Sequence, residues 1–285
     1  MTSDPPKRAT LAAVAICKNE ERDIRGFLDH LLPWIDEVVV IDDGSTDRTL
    51  EILRAEGDRV TVIERSMDPV DGFAGQRNAG IDAARSDWLI HMDIDERVTP
   101  ELAREIRASI DGTDLNGLRY RRTNYFLHRP MRAGGWETWN RPQIARRGSH
   151  RFKNRIHEEC VIDGGEDRIG QLESRMPHLI DGSYTERLAK SFQYCQVVAD
   201  QKLEQGERVR FSTLLLRPAL LFIKRYLVQR GIVDGVPGLI AALNTSGAEF
   251  RSLAIVWDRQ NKVPRSELEA EIASRWSADA GRSAE

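Results

Sequence analysis

The sequence predicts an α/β protein: a doubly wound, mostly parallel central sheet flanked by helices, with a helical C-terminal extension. Three observations carry this. Short apolar runs alternate with helical periodicity through about the first hundred residues, each of the key runs ends in a polar cluster, and from Ser183 onward the pattern is helical.

The elements follow in order. Leu11 to Ile16 is almost wholly apolar, as a strand buried on both faces requires. Lys18, Asn19 and Glu20 break it, and Ile24, Phe27, Leu28 and Leu31 then recur at helical spacing, with Asn19 a candidate cap and Pro33 near the exit. Val38 to Ile41 repeats the strand signal, Asp42 to Asp47 is a polar turn, and Leu50 and Leu53 continue as helix. Val60 to Ile63 predicts a third strand and Ala74 to Ala84 a helix. Trp88 to Met92 is a further buried strand that delivers Asp93, Ile94 and Asp95 at its carboxyl end. Thr99 before Pro100 is a helix start, with Leu102, Ile106 and Ile110 on one face. Beyond about residue 115 short strand-like pieces and Gly-Gly turns predict a mixed-sheet extension. Ser183 to Glu186 has capping-box spacing, and Leu188, Phe192, Cys195 and Ala199 form one helical stripe. The expected organisation is a disordered start over 1–10, an α/β domain over 11–180 (halves 11–115 and 116–180), a helical module over 181–260, and a tail over 261–285.

Composition narrows the function. Against 45 acidic residues stand 42 basic ones, a net charge of −3, so a protein built mainly to neutralise nucleic-acid backbone is not expected. The 3 cysteines, Cys17, Cys160 and Cys195, are widely spaced with no Cys-x-x-Cys pair, which favours a reducing compartment over a disulfide framework or zinc site. Met1 to Thr10 is polar, so no signal peptide is expected, and no uninterrupted apolar stretch has the length of a membrane span.

In doubly wound sheets ligands sit beyond the carboxyl ends of the strands, where the polar clusters at 17–20, 42–47 and 93–96 fall. Asp93 and Asp95, one residue apart, offer hard oxygen ligands for Mg²⁺ or Mn²⁺ with open positions for phosphate oxygens. An isolated Asp-x-Asp is more often a solvated turn. Here it ends an apolar strand, and a second acidic pair, Asp42 and Asp43, ends its predicted neighbour.

Four motifs in order, Val14 to Glu20, Val39 to Thr49, Gly75 to Gly80 and Asp93 to Arg97, resemble family-2 glycosyltransferases of the GT-A fold. Asn124 to Leu127, Gly134 to Trp136, Ile156 to Glu158 and the stretch from Arg217 to Gly235 are similar to the subgroup related to lipopolysaccharide-core β-glucosyltransferases, so the resemblance covers about residues 10 to 245. One departure is the Asp42-Asp43 pair, where that subgroup more usually has Asp-Ser.

The resemblance implies inverting transfer of a sugar from a nucleotide diphosphate sugar, usually UDP-linked, with a divalent metal. It assigns uracil or ribose contacts to Asp43 together with Asp42, places Cys17 and Glu20 beside the base, and gives Arg77 the position of a cation near the diphosphate. Asp95 becomes the direct metal ligand, with Asp93 toward ribose or, through water, the metal. Inversion needs a base for the acceptor's proton. His157, Glu158 and Glu159 form the cluster best suited to it, with Glu158 as base and His157 as a third metal or diphosphate ligand. The alternative is a structural histidine beside a surface acid, and spacing does not decide between the two residues as base. Trp136 and Trp139 suit sugar stacking or, equally, a buried core.

From Leu214 to Leu243 apolar residues are interrupted by Arg217, Lys224, Arg225 and Arg230. Such helices either lie peripherally at an anionic membrane surface or pack on the catalytic domain or across a homo-oligomer. The expected acceptor is a cell-envelope glycan, glycolipid or other hydroxyl compound, and the expected location is the cytoplasm, at the inner face of the cytoplasmic membrane. Two other classes compete: a sugar nucleotidyltransferase, which would want a Gly-rich phosphate loop that Cys17 to Glu20 lacks, and a non-catalytic binding protein of the same fold.

Overall fold

The computed structural model describes residues 8–154, 158–180 and 182–282. The chain divides into two compact units, Met1–Gly182 and Ser183–Glu285.

In the first unit the order is β1 (Leu11–Cys17), α1 (Ile24–Leu31), β2 (Glu37–Asp42), α2 (Thr49–Arg54), β3 (Val60–Glu64), α3 (Gly72–Ala83), β4 (Trp88–Met92) and α4 (Pro100–Ile110). There follow β5 (Gly117–Phe126), β6 (Arg129–Pro130), β7 (Asn140–Arg146), β8 (His150–Lys153), β9 (Glu159–Ile162) and β10 (Ile169–Leu179). The central sheet runs β10-β5-β7-β4-β1-β2-β3, with the short β6 paired to β5. Strands β4, β1, β2 and β3 are mutually parallel, and β7 is antiparallel to both β4 and β5. Strands β8 and β9 form a separate antiparallel hairpin.

The strand period of two splits the core into two layers. Leu11, Ala13 and Ala15 of β1, Val38 and Val40 of β2, and Trp88 and Ile90 of β4 face one layer; Ala12, Val14, Val39, Ile41 and Leu89 face the other. Helices α1 and α4 cover the first layer through Phe27, Leu28, Leu102 and Ile106, and α3 covers the second through Ala74 and Ile81. Helix α3 approaches so closely that a Cβ on Gly80 would lie 2.4 Å from Val14 Cγ1. The Thr99 hydroxyl accepts from Leu102 N at the start of α4, with proline in the first turn, as the sequence predicts.

The second unit consists of α5 (Tyr184–Glu204), α6 (Phe211–Ile223), α7 (Gly235–Asn261) and α8 (Arg265–Arg282). Ser183 Oγ caps α5 by accepting from Glu186 N. Only half of the predicted α5 stripe is covered: Cys195 and Ala199 are buried, whereas Leu188 and Phe192 are exposed. The stretch read as a tail over 261–285 carries helix α8, whose side chains from Arg265 to Trp276 are exposed. Its i,i+4 pairs, Arg265 with Glu269 and Glu271 with Arg275, are the local support that a solvated helix uses.

Candidate active site

The register of the parallel strands brings the polar clusters to one edge. Cys17 lies opposite Asp42 across β1 and β2, and β4, on the other side of β1, ends immediately before Asp93. There a cavity of about 380 Å³ is lined by Cys17, Glu20, Asp43, Asp93, Asp95 and His178, among others. Of the residues the sequence singled out, Cys17, Glu20, Asp43, Asp93 and Asp95 therefore share one cavity.

Asp43 is fixed at its rim: Oδ1 accepts from Met67 N at 2.6 Å and Oδ2 from Lys18 Nζ at 3.0 Å. Asp42 does not join it, which corrects the expectation of a ligand contact. It is fully buried, and its carboxylate accepts from the backbone N–H groups of Gly44 and Ser45, both at 2.8 Å, from the Ser45 hydroxyl and from the Cys17 thiol. Asp42 builds the turn that presents Asp43. Burial, reinforced by the Asp42 charge, pushes the Cys17 thiol far up, so Cys17 lines the cavity as a neutral group.

The Asp-x-Asp motif divides its tasks. Asp93 Oδ1 pairs with Arg77 Nη2 and Oδ2 with Arg122 Nη2, each at 2.7 Å. Burial would raise its pKa, but the two guanidinium groups outweigh that and hold its carboxyl well below the usual carboxylate range. Its backbone N–H donates to Glu96 Oε2 at 2.9 Å, and Glu96 is itself paired with Arg122 at 2.6 Å. Asp93 is thus clamped.

Asp95 instead faces His178, with Oδ1 3.1 Å from Nε2. Ligand atoms of Asp93, Asp95 and His178 lie within 4.8 Å of one another, a donor set of carboxylate oxygens and one imidazole nitrogen that suits a divalent cation. His178 is oriented from behind. Asn124 Nδ2 donates to the Trp136 carbonyl at 2.8 Å, so Asn124 Oδ1 faces His178 Nδ1 at 2.8 Å and takes its proton, and Nε2 is aimed at Asp95.

Arg77 does not line this cavity. Its buried guanidinium bridges Asp93 and Glu158, the latter at 3.2 Å from Nε. Trp136 is also outside the cavity: its ring packs on Phe126 at 5.6 Å, and its contribution is the carbonyl that holds Asn124. Trp139 lies under the Arg122 guanidinium at 4.0 Å. Glu158 lines a neighbouring cavity of about 490 Å³ with Arg119 and Arg141. His157, read as a third metal ligand, lies outside the described residues.

Sequence reasoning missed His178, Asn124, Arg122 and Glu96. Tyr120, Arg122 and Asn124 alternate along β5, and polar residues at alternate positions of an otherwise core-facing strand were the available signal. His178 reaches the site because the end of β10 pairs with the chain after the motif: Leu179 N donates to Asp95 O, and Arg97 N to Pro177 O.

Acidic side chains and an oriented histidine thus line a cavity at the carboxyl edge of a mostly parallel sheet extended by antiparallel strands, the architecture of the GT-A fold. The chain belongs to glycosyl transferase family 2, whose model matches residues 13–163. It is 28% identical over 256 residues to the lipopolysaccharide core biosynthesis glycosyltransferase LpsC of Rhizobium meliloti (strain 1021), covering 87% of this chain and 92% of that protein. It is 25% identical over 254 residues to an uncharacterized glycosyltransferase of Rickettsia bellii, covering 86% and 85%. Among solved structures it is similar to S. aureus TarS 1-349 in complex with UDP-GlcNAc, with a TM-score of 0.45, 16% identity and coverage of 90% and 93%. A second is the glucosyl-3-phosphoglycerate synthase of Mycobacterium tuberculosis, with a TM-score of 0.43, 18% identity and coverage of 70% and 81%. Family membership removes the nucleotidyltransferase alternative.

Proposed function

We propose that this glycosyltransferase moves a sugar, with inversion, from a UDP-sugar to a hydroxyl of a cell-envelope glycan or glycolipid at the inner face of the cytoplasmic membrane. The observation that carries the reading is the convergence of Asp95 and His178 on a cavity that Asp43 and Cys17 also line. Asp43 offers a carboxylate acceptor to an imide N–H, as in uracil, and the neutral Cys17 thiol adds no charge beside a base. The motif order supports a UDP-linked donor. The likeness to a protein named for lipopolysaccharide core biosynthesis supports an envelope acceptor.

Asp95 and His178 would hold a Mg²⁺ or Mn²⁺ ion, with Asp93 in the next layer because Arg77 and Arg122 already occupy its oxygens. Such an ion supplies charge neutralisation for the leaving diphosphate. The acceptor oxygen attacks the anomeric carbon as the bond to the diphosphate oxygen breaks, and the acceptor's proton passes to Glu158. Arg77 ties Glu158 to Asp93, so the base and the donor site keep a fixed separation. The Glu158→Gln variant is expected to lose turnover by about 10²-fold or more while binding UDP as the parent does. Retained turnover assigns the proton to another group.

A further inference from the structure

We propose that residues 211–243 form a docking surface for an anionic lipid bilayer. Helix α6 is rich in leucine, yet none of its residues is buried. Leu216, Leu220, Ile223 and Leu227 recur at helical spacing and are all exposed, Leu220 by 62%. Val236, Leu239 and Leu243 make a second exposed stripe on α7, the helix against which α6 packs. Apolar residues left open in this way on two neighbouring helices make a patch of the kind that marks a contact site.

Charge selects the occupant. The segment holds Arg217, Lys224, Arg225 and Arg230 against the single acidic Asp234. Arg217 pairs with Glu207, while Lys224 and Arg230, both exposed, lie within the connection between the two helices. A second copy of the chain meeting this face isologously would set the basic connection against itself. An anionic surface meets the same residues with opposite charge and takes up the leucine stripes as well. Among the described residues no helix is long and apolar enough to cross a membrane, so the contact is one of lying on the surface.

The test is co-sedimentation of the full chain with vesicles of phosphatidylcholine alone and with phosphatidylglycerol added. Binding is expected only to the anionic vesicles and is expected to fall with added salt. Lys224→Glu with Arg230→Glu should weaken it by at least about fivefold per residue, the equivalent of about 1 kcal/mol each. Leu220→Ser with Ile223→Ser should abolish it, and Val236→Ser with Leu243→Ser provides an independent pair should the first fail to fold. Absence of binding to anionic vesicles, or binding unmoved by these variants, overturns the proposal. So does a dimer that the leucine variants dissolve while vesicles are ignored. No donor or acceptor enters the measurement, so its outcome is separate from that of the transferase reading.

Discussion

His178 and Asp95 meet because Asn124, one layer back, uses its amide nitrogen on the Trp136 carbonyl and its oxygen on His178 Nδ1. Removing such an outer partner typically costs metal-binding sites 10–100-fold in affinity. Asn124→Ala is therefore expected to weaken Mn²⁺ affinity by about 10-fold or more, measured calorimetrically; an unchanged affinity would remove His178 from the metal site. At the same scale Asp93 and Asp95, identical in sequence terms, differ because two arginines reach only the first. The resemblance already favoured Asp95 as the direct ligand, but the cause was not legible: strand-end position marks both as candidates, and Arg122 comes from a strand remote in sequence. Asp42 misled for a related reason, since a carboxylate that accepts from its own turn looks, residue by residue, like one offered to a ligand.

At the scale of elements, β1, β2 and β4 were readable because burial on both faces leaves continuous apolar runs. Strand β10 was not, because its register shifts between Gln171 and Arg175, and the shift breaks the alternation that would have given the facing of His178. The docking of α3 on β1 also holds Arg77 in place, one turn before the close approach at Gly80. Gly80→Ala drives a methyl into Val14 and is expected to destabilise the protein by about 1–3 kcal/mol. A denaturant midpoint equal to that of the parent would mean that α3 shifts freely.

For the whole molecule, three histidines set a pH dependence, His91 and His150 buried and His30 half-buried. Burial holds His30 and His150 down to about 4, and His91, whose Nε2 lies 2.8 Å from that of His150, well below its ordinary value. The unfolded chain protonates these rings below about pH 6.5. The folded chain resists, so it binds fewer protons, and stability falls as the pH drops from about 6.5 toward 4. Glu96, whose pKa burial raises, opposes this as one group against three. The melting temperature is expected to fall steadily between pH 7 and pH 4.5, by an amount on the order of a few kcal/mol in stability; a flat profile would mean that the histidines are solvated. Helices α5 to α7 were legible as helices from their periodicity, whereas α8 was read as a tail; the exposed leucines were not legible, since apolar spacing alone does not distinguish a covered stripe from an open one. The most direct test of the central claim is calorimetric titration of UDP with and without Mn²⁺, in the parent and in Asp95→Asn. UDP should bind the parent at least about tenfold more tightly with Mn²⁺, a coupling of about 1.4 kcal/mol or more, and the variant should lose that coupling. No UDP binding, or binding indifferent to Mn²⁺ in both proteins, would contradict the site described for Asp95 and His178.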